Sequence, residues 1–508
     1  MQGDRPAVRG LTAGYAELRR LFQNPISIVG LAVAVVALGN IVFLFFIDLT
    51  ALHPSPYVGI LAYMVVPAFL VAGLALVGFG AWYDRRRHRA AAGAPLRLDF
   101  SDPRQRGALA FFLSFMVAFI GLSVVGSYRA YTFTDSVQFC GQLCHGVMAP
   151  EYTAYQLSSH ARVACTECHV GSGATWYVKS KLSGARQVFA TAFNTYPRPI
   201  PTPVHNLRPA QDTCEACHWP QKFYGAQLKV FTHYGSDEKS TPRQIQLLIK
   251  TGGGDPATGA PGGIHWHMNI GNQIDYIATD EQRQNISYIH VRDTQGKVTE
   301  YFLKNSNLSQ AQIAKATSHH MDCVDCHNRP SHVYVPPDLS VDRSLLAHKL
   351  DVSLPFIKRQ AVSALTGKYD TTEAAGQGIA KEILEFYGQK YPELARTKQI
   401  EIHAAVDEVQ RIFKTTTFPE MKLDWKTHPN NIGHFYFNGC FRCHDGQHVS
   451  PEGKVVSKDC NLCHTVLGQD EGATKLASAP SMSFQHPVDI GDLNGVTCSD
   501  CHSGGVSP

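Results

Sequence analysis

Charge is scarce in this sequence: only 17% of its 508 residues are Asp, Glu, Lys or Arg. Ordinary soluble domains carry roughly a quarter, and the deficit signals apolar spans. The net charge is just +4, too small for the basic footprint of a nucleic-acid binder, so no nucleic-acid partner is expected. No Lys or Arg occurs between positions 48 and 56, and no small-residue cleavage site follows the first apolar run. No cysteine stands outside one recurring pattern. The length exceeds what a single hydrophobic core supports, so two or more folding units are expected.

Each of the 14 cysteines belongs to a pair followed directly by histidine. Six pairs are Cys-x-x-Cys-His: Cys165/Cys168/His169, Cys214/Cys217/His218, Cys323/Cys326/His327, Cys440/Cys443/His444, Cys460/Cys463/His464 and Cys498/Cys501/His502. The seventh, Cys140-Gly-Gln-Leu-Cys144-His145, has a third spacer residue. This spacing lets two thiols add to the vinyl groups on one porphyrin edge while the adjacent His reaches the iron. Zinc would not require a His after every second Cys. Disulfides within such pairs would close small loops of little stabilising value and leave the His unexplained. A redox Cys-x-x-Cys belongs to a βα setting that is absent here. Seven covalently bound haem c groups are expected.

Three apolar stretches precede the first motif, at about 26–47, 57–82 and 109–126. Each is long enough to cross a hydrocarbon core of roughly 30 Å, although the third is short enough to be a buried core helix instead. The first is too long for the apolar part of a signal peptide and is expected to stay attached. Positive charge sets the orientation. The N-terminal segment holds Arg5, Arg9, Arg19 and Arg20, and the second loop holds Arg85, Arg86, Arg87, Arg89, Arg97, Arg104 and Arg106. The N-terminus is therefore expected in the cytoplasm of a bacterium. The second loop is expected there too, and everything after the third span is expected beyond the inner membrane, in the periplasm, where c-type haems are attached.

The expected architecture is an α-helical membrane anchor of three transmembrane helices (residues 1–128), followed by a haem-dense, mostly α or irregular cytochrome c domain. Residues 129–335 carry four motifs and an insertion at about 221–318. Residues 336–425 read as a helical spacer, with Ile402, Val406, Val409 and Phe413 at helical spacing. Residues 426–508 carry the last three motifs and are expected to show little regular structure. Within the insertion, alternating segments Ile286–Arg292 and Val298–Leu303 flank a turn at 293–296 and read as a small β-hairpin.

Electron-transfer haems take a second strong axial ligand, and its identity tunes the potential. Of 24 His, seven are used in the motifs, and His53 and His88 fall on the membrane side. His160, His332, His434, His448 and His486 sit near motifs and are the preferred candidates. For one further haem, His319 or His320 competes with His265 and His267, and His320 is preferred. Beside the first motif, Met148 either ligates iron, which would raise the potential, or packs on the porphyrin edge.

Three patches resemble the NapC/NirT/NrfH family of membrane-anchored quinol-oxidising cytochromes: Ser159-His160-Ala-Arg-Val-Ala-Cys165-Thr-Glu-Cys168-His169, Cys323-Val-Asp-Cys326-His327 with His332, and the Met after the first motif. The resemblance covers roughly residues 135–335. It implies a first haem near the membrane beside a quinol pocket, electron exit through later haems, and His160 and His332 as distal ligands. The family has one span rather than three, and its first motif has two spacers with the Met one residue nearer. Its acidic residue near the first haem aligns with Gln187. Lys179, Lys181 and Arg186 can hydrogen-bond a quinone oxygen or anchor at the interface. Asp135, Glu151 and a haem propionate are the proton-acceptor candidates.

The expected activity is menaquinol oxidation at the periplasmic face, with electrons passed to periplasmic c-type cytochromes or a terminal reductase in anaerobic respiration. Two alternatives stay open: reduction of a small oxyanion, and an electron-conducting anchor with no quinol site. Against the first, no motif ends in Lys. The lipid bilayer is an expected partner, and homo-oligomerisation is left open.

Overall fold

The computed structural model describes residues 24–50, 66–87, 101, 103–143, 145–171, 174–204, 207–219, 222–253, 262–268, 271–306, 308–471, 474–475, 484–486, 491 and 496–506. Outside that set lie Cys144, His53, His88, the N-terminal arginines, residues 57–65 and the side chains of His145 and Lys181. The chain forms two compact units, 1–140 with 164–186, and 141–163 with 187–508.

The first unit contains three long helices, α1 (Pro25–Thr50), α2 (Val66–Arg87) and α3 (Pro103–Thr134). Within them, Pro25–Leu44 and Val66–Asp84 are long and apolar enough to cross a membrane. α3 runs 32 residues, about 48 Å at 1.5 Å per residue, and extends past the apolar stretch 109–126 at both ends. Small residues let α1 and α2 touch backbone to backbone. A Cβ added at Gly30 would lie 2.7 Å from Gly73 O, and one at Gly73 would lie 2.7 Å from Ala34 N. Ser27 Oγ donates to Val77 O at 3.2 Å and Asn24 Nδ2 to Gly80 O at 2.7 Å. Membrane helices pack this way because lipid supplies no hydrophobic drive, leaving close contact and hydrogen bonds to hold the pair. Val35, Leu38, Phe43, Phe69, Val71 and Leu74 face outward, as a lipid-facing surface requires.

In the second unit, α4 (His145–Gln156) follows the first motif; α5 (Ala174–Ala192) begins in the first unit and ends in the second. Among the described residues, nine strands form two antiparallel sheets, more than the small hairpin expected. One sheet has the order β1-β2-β8-β9, with β1 Gln227–Tyr234, β2 Pro242–Ile249, β8 His464–Glu471 and β9 Thr474–Lys475. The other has the order β6-β3-β4-β5-β7, with β3 Gln273–Ala278, β4 Ile286–Arg292, β5 Val298–Leu303, β6 His319–His320 and β7 His448–Val449. β4 pairs β5 with Tyr288 opposite Phe302, and Ile274, Tyr276, Ile286 and Ile289 form the core beneath. The C-terminal segment departs from the irregular structure expected of it: β7 joins β5, and β8 joins β2 with His464 opposite Ile249.

Between these segments, α6 (Pro337–Leu346), α7 (Ile357–Thr366), α8 (Thr372–Lys390) and α9 (Gln399–Thr416) enclose a separate core. Ile402, Val406, Val409 and Phe413 line the buried side of α9 and meet Ile379, Ile383 and Tyr387 of α8. Each buried side chain of this kind contributes about 1.5–3 kcal/mol. Thr371 accepts from Ala374 N–H and so starts α8.

Candidate haem-binding sites

The attachment motifs fold as single tight turns. His218 N–H donates to Cys214 O at 2.7 Å, His327 to Cys323 at 2.8 Å, His444 to Cys440 at 3.0 Å and His502 to Cys498 at 2.9 Å. One such turn carries both thiols and the imidazole, so the geometry is local to five residues. Capping boxes start two of these turns, Asp322 with Asp325 and Thr497 with Asp500. Before the fifth motif, Gly439 has φ +48°, and a Cβ there would lie 1.8 Å from Gly433 O, so only glycine fits. At the first motif, Phe139–Leu143 forms a π turn. That wider coil matches the third spacer residue between Cys140 and Cys144.

The thiols themselves are not equally sheltered. Four of the expected attachment cysteines, Cys168, Cys217, Cys460 and Cys501, lie exposed on the protein surface, and none is in a disulfide. Their motif partners Cys165, Cys214, Cys463 and Cys498 are only partly exposed. Cysteine is ordinarily among the most buried residue types, so Cys217 and Cys501 depart from that habit and from the enclosed sulfurs of a structural zinc site.

Among the described residues, ring contacts set five imidazoles outside the motifs against motif imidazoles. Ring centres are 6.0 Å apart for His160 and His218, and 6.3 Å for His265 and His327. The values are 5.9 Å for His267 and His444, 6.2 Å for His434 and His464, and 6.1 Å for His486 and His502. Two opposed imidazole nitrogens bound to one metal at about 2.0 Å each set their ring centres about 6 Å apart. The donor set therefore fits bis-histidine haem iron, with one motif His in every pair.

Hydrogen bonds fix the tautomers. Nδ1 of His160 lies 3.2 Å from Pro330 O, that of His265 2.6 Å from Thr251 O and that of His267 2.8 Å from Ile264 O. His444 Nδ1 lies 2.9 Å from Ser457 O. A carbonyl only accepts, so each Nδ1 carries the proton and Nε2 keeps the lone pair that a metal needs. Burial holds His169 and His267 below the ordinary histidine range, as a neutral ligand requires.

Two expected ligands are placed differently. His448 is fully buried; its Nδ1 is 3.0 Å from Asp445 Oδ1 and its Nε2 is 3.2 Å from Ile286 O. Protein acceptors take both nitrogens, leaving none for iron. His320 is half exposed and its Nδ1 meets Asp275 at 2.9 Å, while the ring facing His327 is that of His265. Proximity in sequence suggested both, but β-pairing draws them to Asp275 and Ile286. His332 Nδ1 donates to Glu151 O at 3.0 Å. The recurring signal for His265 and His267 is a His-x-His pair, which offsets from the motifs do not single out.

Successive motifs are close through their thiols. Cys165 lies beside Cys140, and Cys323 beside Cys214. Cys440 couples electrostatically to Cys326 and Cys463, and Cys460 to Cys498. Attached porphyrins would thus follow one another in sequence order along each of these runs.

Around the first motif the second unit holds Met148, half buried, and Glu151. Glu151 Oε2 is buried without a hydrogen-bond partner, and Tyr334 Oη donates to Oε1 at 3.4 Å. Burial raises the Glu151 carboxyl above its ordinary range, against its backbone hydrogen bond, Arg329 and Tyr334, which lower it. Gln187, on α5, is exposed. In the first unit, Asp135 Oδ1 is likewise buried without a partner. Lys179 is exposed, with Nζ 4.5 Å from the Trp176 ring centre.

Residues 103–200 match the family model for the NapC/NirT cytochrome c family, N-terminal region. Over 496 residues the chain is 45% identical to Cytochrome c-type protein ImcH of Geobacter sulfurreducens, covering 97% of this chain and 96% of that protein. No solved structure matches. With seven attachment motifs, paired imidazoles and apolar N-terminal helices, the chain belongs to the NapC/NirT cytochrome c family as a multihaem, membrane-anchored c-type cytochrome.

Proposed function

We propose that the chain is a seven-haem quinol dehydrogenase of the bacterial inner membrane, oxidising menaquinol at the periplasmic face and passing single electrons to periplasmic cytochromes or a reductase. The observation that carries this reading is the junction of α3 with the first motif. α3 ends at Thr134, and Cys140 N–H already donates to Ser136 O at 3.2 Å. A helix read as the third span thus runs into the first haem site with no domain between. The arginine-rich N-terminus and second loop support a cytoplasmic N-terminus and a periplasmic haem domain.

Menaquinol oxidation yields the quinone, two electrons and two protons. Bound haem c supplies one-electron carriers. Protein groups must therefore accept the protons and orient the ring. Glu151 and Asp135, each with a buried oxygen lacking a partner, are the proposed proton acceptors. Lys179, Lys181 and Gln187 are the proposed hydrogen-bonding groups toward the quinone oxygens. His160, His434 and His486 would be the second ligands at the third, sixth and seventh motifs. The six strict motifs and Cys140/Cys144 would together attach seven haems, with Met148 beside the first.

The test is reconstitution in liposomes with a reduced menaquinone analogue. Rapid haem reduction in the absence of any other protein is expected. Haems that reduce with dithionite but not with quinol would refute the proposal.

A further inference from the structure

We propose that the turn Ile264–Met268 is a ligand site for two irons: His265 supplies the second axial ligand of the haem attached at Cys323/Cys326, and His267 that of the haem attached at Cys440/Cys443. One tripeptide would then hold the fourth and fifth haems side by side and join the early motifs to the last three.

The turn is a 3-10 helix. With about three residues per turn, positions two apart point to different sides, so His265 and His267 cannot serve one iron. Their rings instead face different motifs: His265 lies parallel to His327 at 3°, and His267 lies at 89° to His444. Both Nδ1 atoms donate to backbone carbonyls of Thr251 and Ile264, which leaves both Nε2 atoms for metal. The turn is anchored between them. Asn272 Nδ2 donates to Trp266 O at 2.8 Å, and Trp266 packs on the core of Ile274, Tyr276, Ile286 and Ile289.

The two motifs are also braced directly. Arg442 donates to Asp325 O at 2.6 Å and to Arg283 O at 2.9 Å, and Asn431 Nδ2 donates to Asp325 O at 2.9 Å. Helices α6–α9 separate these motifs in sequence, yet electrons need not cross them.

The inference rests on covalent haem attachment but not on quinol oxidation. The experiment uses the full chain in detergent, with H265A, H267A and H320A variants, electron paramagnetic resonance and redox titration. Covalent mass is measured on the same samples. H265A and H267A are each expected to turn one of seven haems high-spin, restored by added imidazole, and H320A none. H265M and H267M keep a strong ligand, stay low-spin and move one haem to higher potential. Full haem mass with unchanged spin state and potential in both His265 and His267 variants overturns the ligand assignment alone. A high-spin haem in H320A but not H265A does the same. Wild-type protein lacking covalent haem instead overturns the reading beneath it.

Discussion

Lys358 is a cation sealed inside the protein at 5% exposure, and removing its charge should cost more than any surface change. Its Nζ donates to Asp338 O at 2.6 Å and pairs with the carboxylate of Asp342. Asp342 is 2% exposed and also takes His233 Nδ1 at 3.2 Å and Tyr234 N–H at 3.1 Å. Asp338, 8% exposed, accepts from Tyr436 Oη at 2.9 Å. Opposite charges about 3 Å apart attract by about 5 kcal/mol at an effective dielectric of about 20. Loss of one partner of a buried pair typically costs about 3–5 kcal/mol because the other charge is stranded. K358M is therefore expected to lose about 3–5 kcal/mol in denaturant unfolding followed by circular dichroism. D342N alone should also destabilise, and K358M/D342N should cost less than the sum.

The pH dependence has a definite sign. Burial already raises the Asp338 carboxyl, while Lys358 lowers it. Without the cation, its folded-state value rises further above the unfolded one. The native state then holds protons that the unfolded state releases, so the K358M deficit grows as pH rises from about 4 toward 7. A loss under about 1 kcal/mol, as for an exposed pair, with an additive double variant, would refute the argument.

His428 is 5% exposed, and burial first, then Arg329, pushes it down to about 4 against Asp424. Since the unfolded imidazole protonates near pH 6.5, stability should fall by up to about 3 kcal/mol as pH drops from 6.5 to 4; H428Q should flatten that slope in acid unfolding. G30A forces the α1–α2 backbones apart and should cost about 1–3 kcal/mol, whereas Gly78 meets nothing within 4 Å, so G78A should be neutral in detergent thermal stability. E151Q should slow quinol-driven haem reduction about 100-fold, the low end for a lost proton acceptor, with dithionite reduction unchanged; an unchanged quinol rate would remove Glu151 from the proposed proton acceptors.

The Cys-Cys-His motifs were legible from the chain alone because their pattern is local. Two thiols and an imidazole within five or six residues fold into one turn wherever that turn sits, so each motif declares itself. How far each sulfur is covered was not legible: Cys217 and Cys501 lie open while Cys214 and Cys498 are partly covered, because cover comes from whatever packs beside the turn. Two of the expected apolar spans were legible, since composition over some twenty residues decides whether lipid will accept Pro25–Leu44 and Val66–Asp84, and the periodicity of 402–413 marked the buried face of α9. The imidazoles set against the motifs were legible only in part: His160, His434 and His486 stood near motifs and face His218, His464 and His502, but the rest depend on segments distant in sequence. His448 and His320 stood near motifs, yet strand pairing turned them to Ile286 and Asp275. His265 and His267, far from either motif, were carried to His327 and His444 by a turn held against β3 and β4. Covalent spacing resides in neighbouring residues, whereas coordination across a porphyrin depends on which surfaces the folded chain brings face to face.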